Sequence, residues 1–297
     1  MPASLEFTGE RFTPECEREI WYEHFHRYAL AARWCANTHT LDAACGEGYG
    51  SALLAQSGAS VKGVDISEQA IAHAQQRYGQ LEGIEFHVSD CTALPFDDAE
   101  FDRVVSFETL EHLEEHDLLL AEFKRVLKPD GLLILSSPDK ATYSDGQKTV
   151  NEFHVKELYR EELEELIGRH FPASHLLGQK LAFHSAIWSM DNVGQVTLDQ
   201  VSEGQAITPA RPTQPPMYYI ALCAADQSCL PDLDGQMWLF DDQEESVYQH
   251  YHGEIRRNMA AGGIIAELEK EIEKLKAQTD PLVPAQASWW RRFLRKS

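Results

Sequence analysis

Between Thr40 and Ser136, short apolar runs alternate with segments of helical periodicity, and no other feature constrains the fold of this chain as tightly. Residues 40–45, 60–65, 84–89, 101–107 and 132–136 read as strands. Residues 49–56, 68–78 and 115–127 read as helices, with Ser67 as the N-cap of the second. Strand–helix–strand order needs crossovers, so the strands are expected to run parallel with helices on both faces of one sheet. The run LLILS at 132–136 shows no polar alternation, which suits a strand covered on both sides. The tetrapeptide Lys128-Pro129-Asp130-Gly131 reads as a turn that stops the helix before it.

Flanking segments extend this core. Ile20, Trp21, His24, Phe25, Tyr28, Ala29 and Ala32 recur at helical spacing, so a helix is expected over 17–35. A helix is expected over 156–168 and a late strand over 217–224, with a poorly periodic, proline-ended stretch at 181–216 between them. The reading divides the chain into an N-terminal helical cap (1–39), a core domain (40–225), an acidic linker (226–252) and a C-terminal helix with a basic-aromatic tail (253–297). Ile265, Leu268, Ile272 and Leu275 follow 3-4-3 spacing over two heptads, short of a coiled coil. Packing on the chain's own body and a homodimer both stay open. The tail at 286–297 mixes Trp289, Trp290, Phe293 and Leu294 with four basic residues, a composition that can dock on an anionic membrane or a partner protein.

The formal net charge of −22 argues against nucleic acid as a partner, because phosphate attraction dominates such binding. None of the six cysteines stands in CxxC or CxxH spacing, so no zinc site is expected, and the thiols read as reduced; no other arrangement points to a metal. The N-terminus has no apolar signal core and no apolar run approaches about 20 residues. The expected location is cytoplasmic, with the tail allowing a peripheral position at the inner membrane face.

The chemistry is concentrated in LDAACGEGYGS, residues 41–51, which leaves a strand and opens a helix. Gly46, Gly48 and Gly50 permit a tight turn and close backbone approach. Asp65 ends the next strand, where a carboxylate can accept bonds from two ribose hydroxyls. Asp90 lies just past the third strand, where it can bond an adenine amino group, and the fourth strand ends in FDRVVSFETLEHL. Acidic groups at successive strand tips suit a cationic, ribose-bearing cofactor without phosphates.

The set DAACGEGYG, GVDIS, SDCTALPFDDAEFDRVVSFETLEHL and KRVLKPDGLLILSSP resembles class I S-adenosylmethionine (SAM)-dependent methyltransferases, closest to the group of ubiquinone- and menaquinone-type enzymes. The resemblance is strong over 40–138 and weaker to about 224. It implies an α/β, Rossmann-like fold: a seven-stranded, mostly parallel sheet with an antiparallel last strand, plus the N-terminal helix and C-terminal helical extension. It implies that Asp42, Gly46 and Gly48 line the methionine part of SAM, and that Asp65 and Ile66 hold the ribose and flank the adenine. Asp90 and Cys91 would contact adenine, and Phe107 would lie under the sulfonium. Ala44 departs from the family, which often has glycine there. The stretch GERFTPE…IWYEHFHRYALA resembles the leader helix of bacterial methyltransferases found among surface-polysaccharide enzymes, which makes Arg11, Tyr22, His26 and Arg27 candidates to close over the cofactor carboxylate or the acceptor.

Methyl transfer from a sulfonium is an in-line displacement in which alignment contributes about 7–11 kcal/mol. A hydroxyl or carbon acceptor also needs a base. His154, in NEFHVKELYREEL, is the first candidate. Glu111 and His112, in ETLEHL, come next, with Tyr143 and His26 behind them. Three functions follow from the resemblance. The first is O-methylation of a sugar or polysaccharide terminus, for which a magnesium-dependent sugar methyltransferase stays open. The second is methylation of a quinone, lipid or other small metabolite in an apolar pocket lined by Phe183, Ile187, Trp188 and Met190. The third is a non-catalytic SAM-binding scaffold of a glycan-assembly complex.

Overall fold

Val61, Val64, Val104, Val105, Leu133 and Ile134 have almost no exposed surface, so the apolar runs of the sequence sit inside one sheet covered on both faces. The computed structural model describes residues 19–148, 151–182, 184, 199–201, 207–209, 214–233 and 235–279. The strands are β1 (His39–Ala43), β2 (Ser60–Asp65), β3 (Ile84–Val88), β4 (Phe101–Ser106), β5 (Leu127–Pro138), β6 (Ala173–Gln179), a separate hairpin of β7 (Asp199–Val201) and β8 (Ile207–Pro209), and β9 (Tyr218–Ala224). The main sheet has the order β3-β2-β1-β4-β5-β9-β6. The pairs β1–β2, β1–β4, β2–β3 and β4–β5 are parallel, and β9 runs antiparallel to both β5 and β6. This is the expected seven-stranded sheet with one reversed strand. Its order reverses beside β1, which opens a crevice at the carboxyl ends of β1 and β4 where ligands bind in such sheets.

Helices α1 (Glu19–Cys35), α2 (Tyr49–Gln56), α3 (Glu68–Tyr78), α4 (His116–Val126) and α5 (Arg160–His170) cover the sheet. One core gathers Phe101, Leu119, Phe123, Leu133 and Leu163 under α4 and α5. The other gathers Tyr28, Leu54, Val61, Phe86 and Leu222 under α1, α2 and α3. The Ser67 hydroxyl accepts from the Ala70 amide, the N-cap expected for α3.

Three details differ from the sequence reading. Residues 128–131 are no separating turn. They continue β5 in extended form as an irregularity opposite β4, whose register jumps from Phe101↔Leu127 to Arg103↔Leu132. The helix expected from 156 starts at Arg160, because the amides of Val155 and Lys156 bond back to the Glu111 carbonyl. β6 had no strand signal of its own: it is an edge strand of mixed composition, ASHLLGQ, with only its two ends buried.

The chain divides into two compact units, Met1–Phe240 and Asp241–Ser297. In the second, α6 (Ser246–Thr279) starts earlier than the expected helix and exposes Ile265, Leu268, Ile272 and Leu275. The tail at 286–297 lies outside the described residues. So do Arg11, Phe183, Ile187, Trp188 and Met190. Among the described residues no helix is long and apolar enough to cross a membrane.

Candidate cofactor cleft and acceptor site

β1 delivers Asp42 into the interior, and the turn that follows is held in left-handed conformation at Ala44 (φ 59), Gly46 (φ 55) and Gly48 (φ 87). Ala44 therefore takes the backbone state that explains the family's glycine at this point, at a cost of about 1–2 kcal/mol. The glycines serve packing as well as approach. A Cβ on Gly48 would fall 2.7 Å from that of Ala74 and 2.8 Å from the Phe86 ring, and one on Gly50 would fall 2.0 Å from the Tyr28 ring. The turn is pinned from outside by Glu47, 1% exposed, whose carboxylate meets His73 at 2.9 Å and Arg77 at 3.4 Å.

Asp42 does not line the cleft as the resemblance implied. It is fully buried, and its two oxygens accept from the Tyr28 hydroxyl (3.0 Å) and the Ser51 hydroxyl (2.6 Å). Burial pushes its carboxyl up to about 7, against the two hydrogen bonds. Asp42 thus joins α1, β1 and α2, and acts on the turn through position rather than contact. Phe107 is buried edge-on against Tyr28, ring centroids 5.0 Å apart.

At the β2 tip, Asp65 accepts from the Gly46 amide through Oδ2 and from the Ser67 amide through Oδ1, both at 2.9 Å. These bonds aim the carboxylate across the turn. Ile66 beside it is 72% exposed, an apolar surface of the size that an adenine ring covers. Asp90 spends Oδ1 on the amide and hydroxyl of Thr92, closing its own turn, while Oδ2 is left to accept from an adenine amino group. Cys91 is buried and its thiol is pushed up to about 12 by that burial, so it packs rather than reacts.

Arg27 reaches the same crevice from α1. It is 1% exposed, donates through Nη1 to Gln179 Oε1 at 2.9 Å, lies 3.7 Å from Glu108 and stacks over Tyr218 at 4.7 Å. Its Nε and Nη2 are buried without a hydrogen-bond partner. Two orphaned donors on one guanidinium fit a carboxylate, which a SAM methionyl group brings. Glu108, at the β4 tip, is a non-glycine residue at φ 52, locked there by exchange of hydrogen bonds with the Ser136 hydroxyl. Such strain, about 1–3 kcal/mol, clusters at functional sites. Of the other leader-helix candidates, Tyr22 is buried against Phe240, and His26 stacks on Phe240 with Nε2 buried and unpartnered.

The three base candidates meet. One ligating atom each from Glu111, His112 and His154 lies within 4.8 Å of the others. Asn151 bonds the Phe153 amide and folds NEFH back on the β4 tip. His112 Nδ1 bonds the Phe153 carbonyl at 3.0 Å, and His154 Nδ1 bonds Glu157 at 2.6 Å. Tyr143 stacks on the His154 ring. Burial drives the Glu111 carboxyl well above the usual range, and repulsion from Glu108 adds to this. The fold thus gathers ligand-type side chains that lie apart in the sequence. Tyr28 and Gln179 carry no sequence signal as site residues, since their partners lie on other elements, whereas Glu157 stands three residues from His154 and that spacing could have found it.

The sheet order, the glycine turn and the acid at the β2 tip form the cleft of a Rossmann-like fold. Residues 41–135 match the methyltransferase domain family. The chain is 38% identical over 169 residues to a "Probable S-adenosylmethionine-dependent methyltransferase" of Mycobacterium tuberculosis, covering 56% of this chain and 61% of that one. It therefore spans about three fifths of the length of that curated relative. It is 40% identical over 100 residues to a demethylmenaquinone methyltransferase of Clavibacter sepedonicus, covering 34% and 41% of the two chains. A solved protein of Pyrococcus horikoshii is similar in fold, with a TM-score of 0.51 and 22% identity over 71% of this chain and 95% of that one.

Proposed function

We propose that the whole protein is a methyltransferase that moves the methyl group of SAM onto an oxygen of a sugar or cell-surface glycan. The convergence of Glu111, His112 and His154 beside the β4 tip carries this reading. A hydroxyl is a weak nucleophile until its proton leaves, so an O-methyltransferase needs an activating group beside the methyl carbon. SAM supplies a methyl on a sulfonium: the acceptor oxygen bonds the carbon, the C–S electron pair stays on sulfur, and the hydroxyl proton passes to the cluster or to water beside it. Arg27, Asp65 and Ile66 orient the cofactor, and the cluster meets the acceptor oxygen. Glu157 holds His154 with Nδ1–H toward its carboxylate, which leaves a lone pair on Nε2.

A hydroxylated acceptor is favoured by the cavity of about 890 Å³ that opens beside Arg27. His26, Gln179, Lys180 and His184 supply polar groups to its wall and Trp238 an aromatic face. Asp65, Glu111, His112 and His154 do not line it, so it fits a part of the acceptor away from the reacting oxygen. Similarity to the demethylmenaquinone enzyme supports the quinone alternative less, because it covers only a third of this chain.

The test is transfer of label from methyl-tritiated SAM to cell-envelope fractions. Label in polysaccharide is expected, reduced at least 100-fold in His154→Ala with SAM affinity retained. Label only in solvent-extractable lipid refutes the glycan acceptor, and no label anywhere refutes the enzyme.

A further inference from the structure

We infer that Glu111, His112 and His154 form a binding site for one divalent transition-metal cation, of the manganese, iron(II) or zinc class. Three observations converge on it. The ligating atoms lie within 4.8 Å of one another, and ligands about 2.1 Å from a common centre stand ~3–4 Å apart, so small side-chain rotations close the set. Glu111 is 1% exposed, and both its carboxylate oxygens are buried without a hydrogen-bond partner. An uncompensated buried carboxylate is among the costliest groups a fold can hold, and a cation answers both oxygens at once. Each histidine also has its Nδ1 already engaged. His112 bonds the Phe153 carbonyl and His154 bonds the Glu157 carboxylate, so both rings are fixed with Nε2 as the ligating atom. Carbonyl or carboxylate behind the imidazole is the usual outer support of a metal-bound histidine.

The donor set selects the cation. Two imidazoles and one carboxylate suit manganese, iron or zinc, whereas magnesium prefers all-oxygen sites. Three protein ligands leave coordination positions open. For its role, though not for its existence, the site rests on the acceptor reading above. An acceptor hydroxyl at an open position would be polarised by the cation and release its proton to water near neutral pH. Tyr143 stacks on the His154 ring and helps hold its orientation.

The experiment uses the full chain, stripped with a chelator and dialysed. Co(II) titration is followed by visible ligand-field absorption, and Mn(II) and Zn(II) titrations by calorimetry. One equivalent of cation is expected. Affinity should fall at least ~10-fold in His154→Ala and in Glu111→Gln, and about 10-fold in Glu157→Gln, which touches no cation. SAM affinity, measured on every variant, reports that the cleft is folded. The His154→Ala variant keeps the test decisive if Glu111→Gln fails to fold. Equal uptake by wild type and the His112→Ala/His154→Ala double variant, or no uptake by wild type, overturns the site. Cation binding with no methylated glycan leaves the site standing and sinks the acceptor reading. Full-rate glycan methylation by metal-free protein leaves that reading standing and overturns the cation's role.

Discussion

Arg27 offers the sharpest test of the cofactor geometry, because its orphaned donors have no explanation inside the protein. Replacing it with methionine keeps most of the buried stem and removes Nε, Nη1 and Nη2. Inside the chain the loss is the bond to Gln179 and the ion pair with Glu108, both of which lower thermal stability. In the complex, the loss is the pairing of Nε and Nη2 with the SAM carboxylate. A hydrogen bond to a charged group contributes about 1.5–3 kcal/mol, so even one such bond weakens binding by roughly 2 kcal/mol, or about 30-fold. Calorimetric titration with SAM and with S-adenosylhomocysteine, at a temperature where circular dichroism shows both proteins folded, measures this. Decarboxylated SAM separates the causes. It should bind wild type and Arg27→Met with similar affinity, because the partner group is gone from the ligand. If Arg27→Met binds SAM within threefold of wild type, Arg27 is a structural tie between α1 and β6, and the assignment of the carboxylate is wrong.

Two further expectations follow from the packing around Tyr28. Gly50→Ala should lower stability by at least about 1–3 kcal/mol in chemical denaturation, yet cost almost nothing more in a Tyr28→Ala background, since its Cβ would strike the Tyr28 ring. Equal cost in both backgrounds would remove the close approach as the reason for glycine. Asp42 also makes stability depend on pH. Its folded pKa of about 7 lies above the ordinary aspartate value of 3.8, so between those values the folded state holds a proton that the unfolded chain has released. Stability should therefore fall as pH rises from about 4 to about 7, by up to ~1.4 kcal/mol per unit, and level off above. Asp42→Asn should reduce that slope in a pH series of denaturant melts, leaving the part that the raised carboxyls of Glu111 and Glu23 contribute; an unchanged slope would mean Asp42 carries none of it.

Much of this architecture could be read from residue order. β1 to β4 announce themselves because each is apolar and bounded by turn residues, and the positions of Asp65 and Asp90 at strand tips follow from those boundaries. β6 does not, because an edge strand needs no continuous apolar run, and its pairing is set by β9 across a long intervening segment. The Lys128–Gly131 region misleads because proline and glycine mark both turns and strand irregularities. At the site, Glu111, His112 and His154 are each visible as residue types in suggestive motifs, but their meeting depends on Val155 and Lys156 bonding the Glu111 carbonyl. Asp42 shows the opposite failure. The motif is right, yet burial under Tyr28 and Ser51 turns an expected contact into a support.

The central claim is that a SAM-type cofactor lies across the carboxyl ends of β1, β2 and β4. A crystal structure of the full chain grown with S-adenosylhomocysteine tests it most directly. The account predicts ribose hydroxyls on the Asp65 carboxylate, adenine against Ile66 and the amino-acid carboxylate on Arg27. Ligand density away from the β2 tip, or crystals that never take up the ligand at saturating concentration, would contradict it.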